Sequence, residues 1–344
     1  MSNSPSDSWW QRPETYLYAW DFADESARFI PMDRAALARS SFLDQRIAAD
    51  LSTVQNVPIA EVLSSTSGEP SAAPAFIFHT AFCCSTLLAR SLDLPGRTLA
   101  LREPATLLQL ADLKRGLTVT NYNVASLLTP TLNLLSRPFR TGERVLIKPT
   151  NLVNNLIPEL LAASPESRVL VLYDNLEAFL LSVLKRPRES ERGISQFLER
   201  LRLDAPARAF APEVLNVGDL PRRAALVWAL QMHALNASLS TSPSHVRFLG
   251  APSLLREPVS ALAAVTEWLN LGIDTAVLRD VTQGPIWNRH AKHPDQSYTP
   301  ARRNEEQTLA RRLLADPLQQ TRAWMAQTPG LMPTTLPRAL HLMD

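Results

Sequence analysis

Cysteine is almost missing from this chain of 344 residues: there are two, Cys83 and Cys84, and they are adjacent. Neighbouring cysteines do not staple a fold, and two fall short of a cysteine-only structural zinc site. So little cysteine fits a reducing compartment and leads us to expect a cytoplasmic protein. Glycine is scarce as well, ten residues against 27 prolines, so the connections are stiffened by rings that fix φ. No excess of one charge exists. With 35 Lys and Arg against 33 Asp and Glu, the formal net charge is +2. That argues against sequence-independent duplex binding, which needs many phosphate contacts, and we expect no nucleic-acid partner. Any basic site has to be a local pocket. No apolar run approaches the roughly 18 residues of a membrane span. The polar start, Met1 to Ser8, lacks the basic and apolar regions of a secretory signal. No spaced His or Cys cluster points to a metal, and there is no internal repeat.

What is present is an ordinary globular composition, 45% hydrophobic. Residues 1–14 read as a polar tail. Tyr16 to Phe22 is aromatic-rich and suits a strand, with Ala27 to Met32 as its hairpin partner. Residues 33–50 read as a helix and 64–73 as a linker. Short apolar runs then recur at 75–79, 98–101, 144–148, 168–173 and 246–249. Runs of this kind suit parallel strands buried on both faces. Helical patterns lie between them, at about 85–93, 105–115, 122–136, 151–163, 175–186 and 220–240. Asp219 is placed to cap the last of these, with Pro221 in its first turn. Residues 257–270 and 301–327 read as further helices, and 282–300 as polar and irregular. The alternation predicts an α/β fold, a central parallel sheet flanked by helices. The expected division is a small strand-and-helix extension, 1–70, and an α/β domain, 71–344.

Strand Ala75 to Phe78 runs into His79-Thr80-Ala81-Phe82-Cys83-Cys84-Ser85-Thr86, followed by leucines at helical spacing. A helix that starts at Ser85 or Thr86 turns N–H donors and the positive end of its dipole toward that loop, which favours an anion. Cys83 and Cys84 are small enough for a ligand to come close. An ordinary capped helix after a strand is the plainer alternative. The strict nucleotide-binding loop needs two glycines and a lysine. Here His79, Cys84 and Ser85 hold those positions, which disfavours a standard ATPase or GTPase.

Residues 78–92 resemble the phosphosulfate-binding loop of the sulfotransferase family. Other segments follow in that family's order. Leu101-Arg102-Glu103-Pro104 resembles its "R-E-P" element, and Val145 to Asn151 its strand ending in Lys and Asn. Arg168 to Asp174 with Ser182 resembles the strand and helix that hold the 3′-phosphate. Ser253 to Leu271 resembles its late loop and helix, and Arg289-His290-Ala291-Lys292 a late basic loop. The resemblance spans about residues 74–325. Two departures stand out: Phe82 replaces a basic residue and Cys84 a glycine in the loop, and Tyr173 stands where an arginine is expected. A lost charge-assisted contact costs roughly 1.5–3 kcal/mol. Lys148, Arg186 or Arg289 would have to compensate.

The resemblance implies a P-loop-like fold and transfer of a sulfuryl group from 3′-phosphoadenosine 5′-phosphosulfate to a hydroxyl or amine on a small molecule or peptide. Cys83, Cys84, Ser85, Thr86, Asp174, Ser182, Arg289 and Lys292 would bind the donor. Glu103, at a strand's carboxyl end, or His79 would deprotonate the acceptor. Lys148 would stabilise the transferred group. Each has a plainer reading: a helix-start carboxylate for Glu103, a salt bridge to Glu103 for Lys148, a core histidine for His79, and surface polarity for Ser182 and the 289–293 segment. Trp228 and His233 read as core. A non-catalytic anion- or partner-binding descendant, or a transferase using another nucleotide donor, are the alternatives.

Overall fold

A computed structural model describes residues 8–66, 72–241, 243–290, 293–297, 299–334 and 336–343. Among the described residues, two sheets and a two-stranded ladder make up the β structure. An antiparallel sheet joins β1 (Thr15–Asp21), β2 (Ser26–Pro31) and β3 (Gln55–Pro58). A five-stranded sheet contains β4 (Ala75–His79), β5 (Thr98–Arg102), β6 (Arg144–Lys148), β7 (Val169–Tyr173) and β8 (Val246–Gly250), in the order β5-β6-β4-β7-β8. Leu99 faces Val145 and Arg102 faces Lys148 in the parallel β5–β6 pair. Val169 faces Val246 and Tyr173 faces Gly250 in the parallel β7–β8 pair. All five residues of β4 and of β5 are buried, the signature of strands covered on both faces by helices. The sequence predicts all five strands of this sheet.

The chain forms two compact units. One runs through Phe76 and resumes over Leu92–Arg168; the other comprises Ile77–Ser91 and the chain from Val169 onward. In the first unit the 8–14 stretch is not a tail. Trp10 is buried, and its carbonyl accepts from Arg137 Nη1 at 3.0 Å. The Gln109 side chain brackets Trp20, accepting from its N–H at 2.9 Å and donating to its carbonyl at 2.8 Å. Residues 1–7 of the expected tail and 67–71 of the expected linker lie outside the described residues. Residues 64 and 65 instead close a helix, Ile59–Ser65.

The helix predicted over 33–50 stops at Arg39. Asp33 caps it by accepting from Ala36 N at 2.6 Å. Its end is set from far along the chain: Arg102, 1% exposed, donates to the carbonyls of Leu37, Ala38 and Ser40. Carbonyls left over at a helix end need partners, and a buried guanidinium here supplies them.

Tyr16 in β1 is buried, its hydroxyl has no hydrogen-bond partner among the described residues, and burial raises its pKa. An unsatisfied buried donor costs about 1–3 kcal/mol, so Tyr16→Phe is expected to leave stability unchanged or to raise it by ~1 kcal/mol. Urea denaturation checks this; a loss beyond about 1 kcal/mol would mean the hydroxyl is engaged.

In the second unit the helix Leu220–Thr241 begins as the sequence predicts, with Arg222 N donating to Asp219 Oδ1 at 2.9 Å. Residues 187–201, assigned no element above, form a helix, Pro187–Leu201, that buries Ile194, Leu198 and Leu201. The 301–327 segment is two helices, Pro300–Leu313 and Ala315–Gln327. The 151–163 segment of the first unit begins as 3₁₀ helix, Asn151–Leu156, before Ile157–Ala163 becomes α-helical. The stretch expected to be irregular holds a short helix, Pro285–Asn288, and a two-stranded ladder of Arg289–His290 with His293–Ser297. Among the described residues no helix is long and apolar enough to cross a membrane.

Candidate functional site

The loop after β4 lies in the second unit. Its backbone is unusual: Phe82 and Cys84 take φ of 62° and 66° while Ala81, Cys83 and Ser85 do not have positive φ. A left-handed residue with a side chain costs roughly 1–2 kcal/mol relative to one that is right-handed. Cys84 thus keeps the conformation that a glycine would adopt freely. Alternation of φ sign along consecutive residues is the backbone pattern from which anion nests are built. Helix Ser85–Ser91 follows, with Ser85 and Thr86 buried at its first turn.

The loop is pinned from several directions. Thr80 N donates to Leu172 O at 3.2 Å, and Ala81 N donates to Gln231 Oε1 at 2.9 Å. The Cys83 thiol points at the carbonyls of Thr80 and Leu172, 2.9 and 3.3 Å away. Cys83 is therefore buried and turned inward, while Cys84 is half-buried. Phe82 packs edge-on against Phe179, centroids 5.5 Å apart. An aromatic ring thus occupies the position where the resemblance asks for a cation. His79 is buried, with Nδ1 2.8 Å from Thr80 O. A proton on Nδ1 makes Nε2 the basic nitrogen of the neutral ring.

Asp174 follows β7 beside this loop. Its N–H lies 3.4 Å from Thr80 Oγ1, and its carbonyl accepts from Trp228 Nε1 at 2.8 Å. The residue is 8% exposed, and its carboxyl accepts from Asn175 N at 2.9 Å. Burial pushes its pKa up to about 7, partly opposed by that N–H. Tyr173 is raised too, by burial first and by the Asp174 charge second. Its ring meets Phe248 and His341 edge-on. Ser182 is half-buried on helix Leu176–Leu184, and Arg289 is exposed. Lys292 lies outside the described residues. Trp228 is buried as expected; His233 is only half-buried, 3.3 Å from Leu331 O, which corrects its core assignment.

Glu103 and Lys148 belong to the first unit, at the carboxyl ends of β5 and β6. They are paired: Lys148 Nζ, on a residue 1% exposed, donates to Glu103 Oε1 at 2.5 Å. Glu103 N also donates to Lys148 O at 2.6 Å, and Glu103 itself is left-handed, with φ of 56°. The other carboxylate oxygen is 3.5 Å from Arg46 Nη2, and the Arg46 guanidinium lies 3.9 Å over the Phe42 ring. Neither Arg46 nor Phe42 was singled out in sequence. They come from the stretch expected to be helical, and no local pattern marks them. Among the described residues no group of His, Cys, Asp and Glu could hold a metal ion.

Fold and loop define a class: an α/β protein with a five-stranded parallel sheet and a strand–turn–helix whose turn is left-handed at Phe82 and Cys84. No family model matches the sequence, and no curated protein matches it. Among solved structures the chain is similar to sulfotransferases. A sulfotransferase domain from the curacin biosynthetic pathway aligns with a TM-score of 0.40 and 14% identity, over 75% of this chain and 99% of that one. A sulfotransferase from Alicyclobacillus acidocaldarius gives 0.39 and 14%, over 74% and 96%. One from Mycobacterium avium gives 0.37 and 14%, over 76% and 79%.

Proposed function

We propose that this protein is a sulfotransferase-like enzyme that moves a sulfuryl group from 3′-phosphoadenosine 5′-phosphosulfate to a hydroxyl or amine. The observation that carries the reading is the loop: a glycine-free sequence that nonetheless alternates φ sign at Phe82 and Cys84 directly before Ser85 and Thr86. Backbone strain of this kind persists where the surroundings enforce it, and it concentrates at binding sites. The nest and two hydroxyls suit the phosphosulfate of the donor, which would supply the activated sulfuryl group. Asp174, Ser182, Arg289 and Lys292 would complete donor binding.

In the first unit Lys148 would carry positive charge to the oxygens of the transferred group. Glu103 would take the acceptor's proton; His79 is the alternative base. The Glu103–Lys148 pair supports this, because it sets the candidate base against the cation that would turn to the sulfuryl oxygens.

Calorimetry with adenosine 3′,5′-bisphosphate tests the donor assignment. We expect binding that weakens about ten- to a hundredfold in Ser85→Ala and in Thr86→Ala, the loss of one hydrogen bond to a charged group. Absence of binding in the parent protein would reject the donor. A second reading has its own support: both Glu103 oxygens face cations, Lys148 and Arg46. In a non-catalytic anion- or partner-binding descendant that pair is structural. Glu103→Gln separates the two, since an enzyme loses most sulfuryl transfer while a binder keeps its ligand.

A further inference from the structure

The chain that follows the first helix is stitched to the strand end that carries Glu103. Leu43 N donates to Arg102 O at 2.7 Å, and Leu43 O accepts from Ala105 N at 3.0 Å. These partners stand one residue before Glu103 and two after it, so the 42–46 stretch holds a fixed register against the Glu103 backbone. Two cations clasp the carboxylate from opposite oxygens. Lys148 Nζ donates to Oε1 at 2.5 Å, and Arg46 Nη2 lies 3.5 Å from Oε2. One buried ring serves both: the Arg46 guanidinium is 3.9 Å and the Lys148 ammonium 5.9 Å from the centroid of Phe42. Both lie within reach of the attraction between a cation and a ring face.

The two cations are held differently. Among the described residues Glu103 is the one hydrogen-bond acceptor of the Lys148 ammonium. An ammonium on a flexible four-carbon stem turns readily to another acceptor. Arg46 is locked. Its Nε donates to Asp44 Oδ1 and Oδ2 at 2.9 and 3.1 Å, its Nη2 also meets Oδ2, and Phe42 supports its face. A planar guanidinium fixed by a carboxylate and a ring keeps its place when the ammonium leaves.

We infer that Arg46 is a positioning residue for the transfer: it holds Glu103 Oε2 while Lys148 turns from Oε1 to the transferred group. The inference rests on the proposed reading of Glu103 as base and divides the labour of its oxygens, Oε2 held and Oε1 acting. In that step Oε1 gains the acceptor's proton as the acceptor's oxygen or nitrogen bonds to sulfur. The adenosine bisphosphate leaves with the electron pair of the broken S–O bond.

Transfer from radiolabelled 3′-phosphoadenosine 5′-phosphosulfate to phenol and to benzylamine, a hydroxyl and an amine, tests this in the full chain. Arg46→Ala should lower kcat about ten- to a hundredfold, the effect of misplacing a reacting group, and leave the donor KM within about twofold. Arg46→Lys keeps the charge without the fork and should recover part of the loss. Because the Arg46 side chain is 52% exposed, guanidinium chloride at a low, non-denaturing concentration should restore turnover to Arg46→Ala, and equal potassium chloride should not. In a Glu103→Gln background Arg46→Ala should add no further loss, since it acts through that carboxylate. Arg46→Gln replaces the alanine variant if that folds poorly. An unchanged kcat, or an equal loss with and without the Glu103 carboxylate, overturns the inference and leaves the enzyme reading standing. No transfer by the parent to either probe overturns both.

Discussion

Replacing Arg102 by alanine is expected to cost about 3–5 kcal/mol of stability, the range for breaking a buried ion pair from one side. The guanidinium is 1% exposed, and each of its nitrogens is engaged. One face pairs with Asp93 Oδ2 at 2.8 Å, and the rest meets the carbonyls of Leu37, Ala38, Ser40 and Ala100. Alanine would take the donor away from those carbonyls, while among the described residues Asp93 keeps Arg34 as its cation partner. Each such orphan carries its own desolvation cost. Lysine keeps the charge but lacks the planar fork, so Arg102→Lys should recover only part of the loss. The measurement is a urea midpoint at unchanged m value. A loss under about 1 kcal/mol would mean that the clamp on residues 37–40 is dispensable.

The same residue shows where sequence stops being legible. Strands β4 to β8 were readable because each is a short apolar run bounded by polar residues, and burial on both faces requires that composition. The end of the first helix was not, because the group that terminates it is Arg102, more than 60 residues away. Nothing in residues 33–50 encodes that partner, and the local helical pattern continues past Arg39. In the "R-E-P" element attention falls on Glu103 for its carboxylate, while the neighbouring arginine serves the fold of the first unit. The loop was legible in residue types, small residues and hydroxyls before leucines, but not in conformation. Left-handed backbone is signalled by glycine, and here Phe82 and Cys84 adopt it without one. Arg46 and Phe42, beside Glu103, were equally hidden, for they arrive by tertiary folding from a segment that looks helical.

Asp174 yields the second large effect, a stability that falls as pH rises. Its carboxyl is raised from 3.8 to about 7 by burial, so between those values the folded chain holds a proton that the unfolded chain has released. Stability then decreases with pH across that interval and levels off above it, the reverse of a salt-bridged carboxylate. The full difference corresponds to a penalty on the order of 4 kcal/mol, largely felt by pH 8. Asparagine has nearly the same shape and still offers an oxygen to Asn175 N, yet carries no charge to bury. Asp174→Asn is therefore expected to match the parent near pH 4 and to exceed it by roughly 2–4 kcal/mol at pH 8. The contrast is taken from urea midpoints at both pH values, so that other titrating groups cancel between the two proteins. If the variant is less stable than the parent at pH 8, the charged form is stabilised in the fold. If the expected gain appears, the chain tolerates a destabilising group beside the strained turn at Phe82 and Cys84. Two independent costs would then meet where Asp174 borders the loop at Thr80, a coincidence that folding alone does not call for.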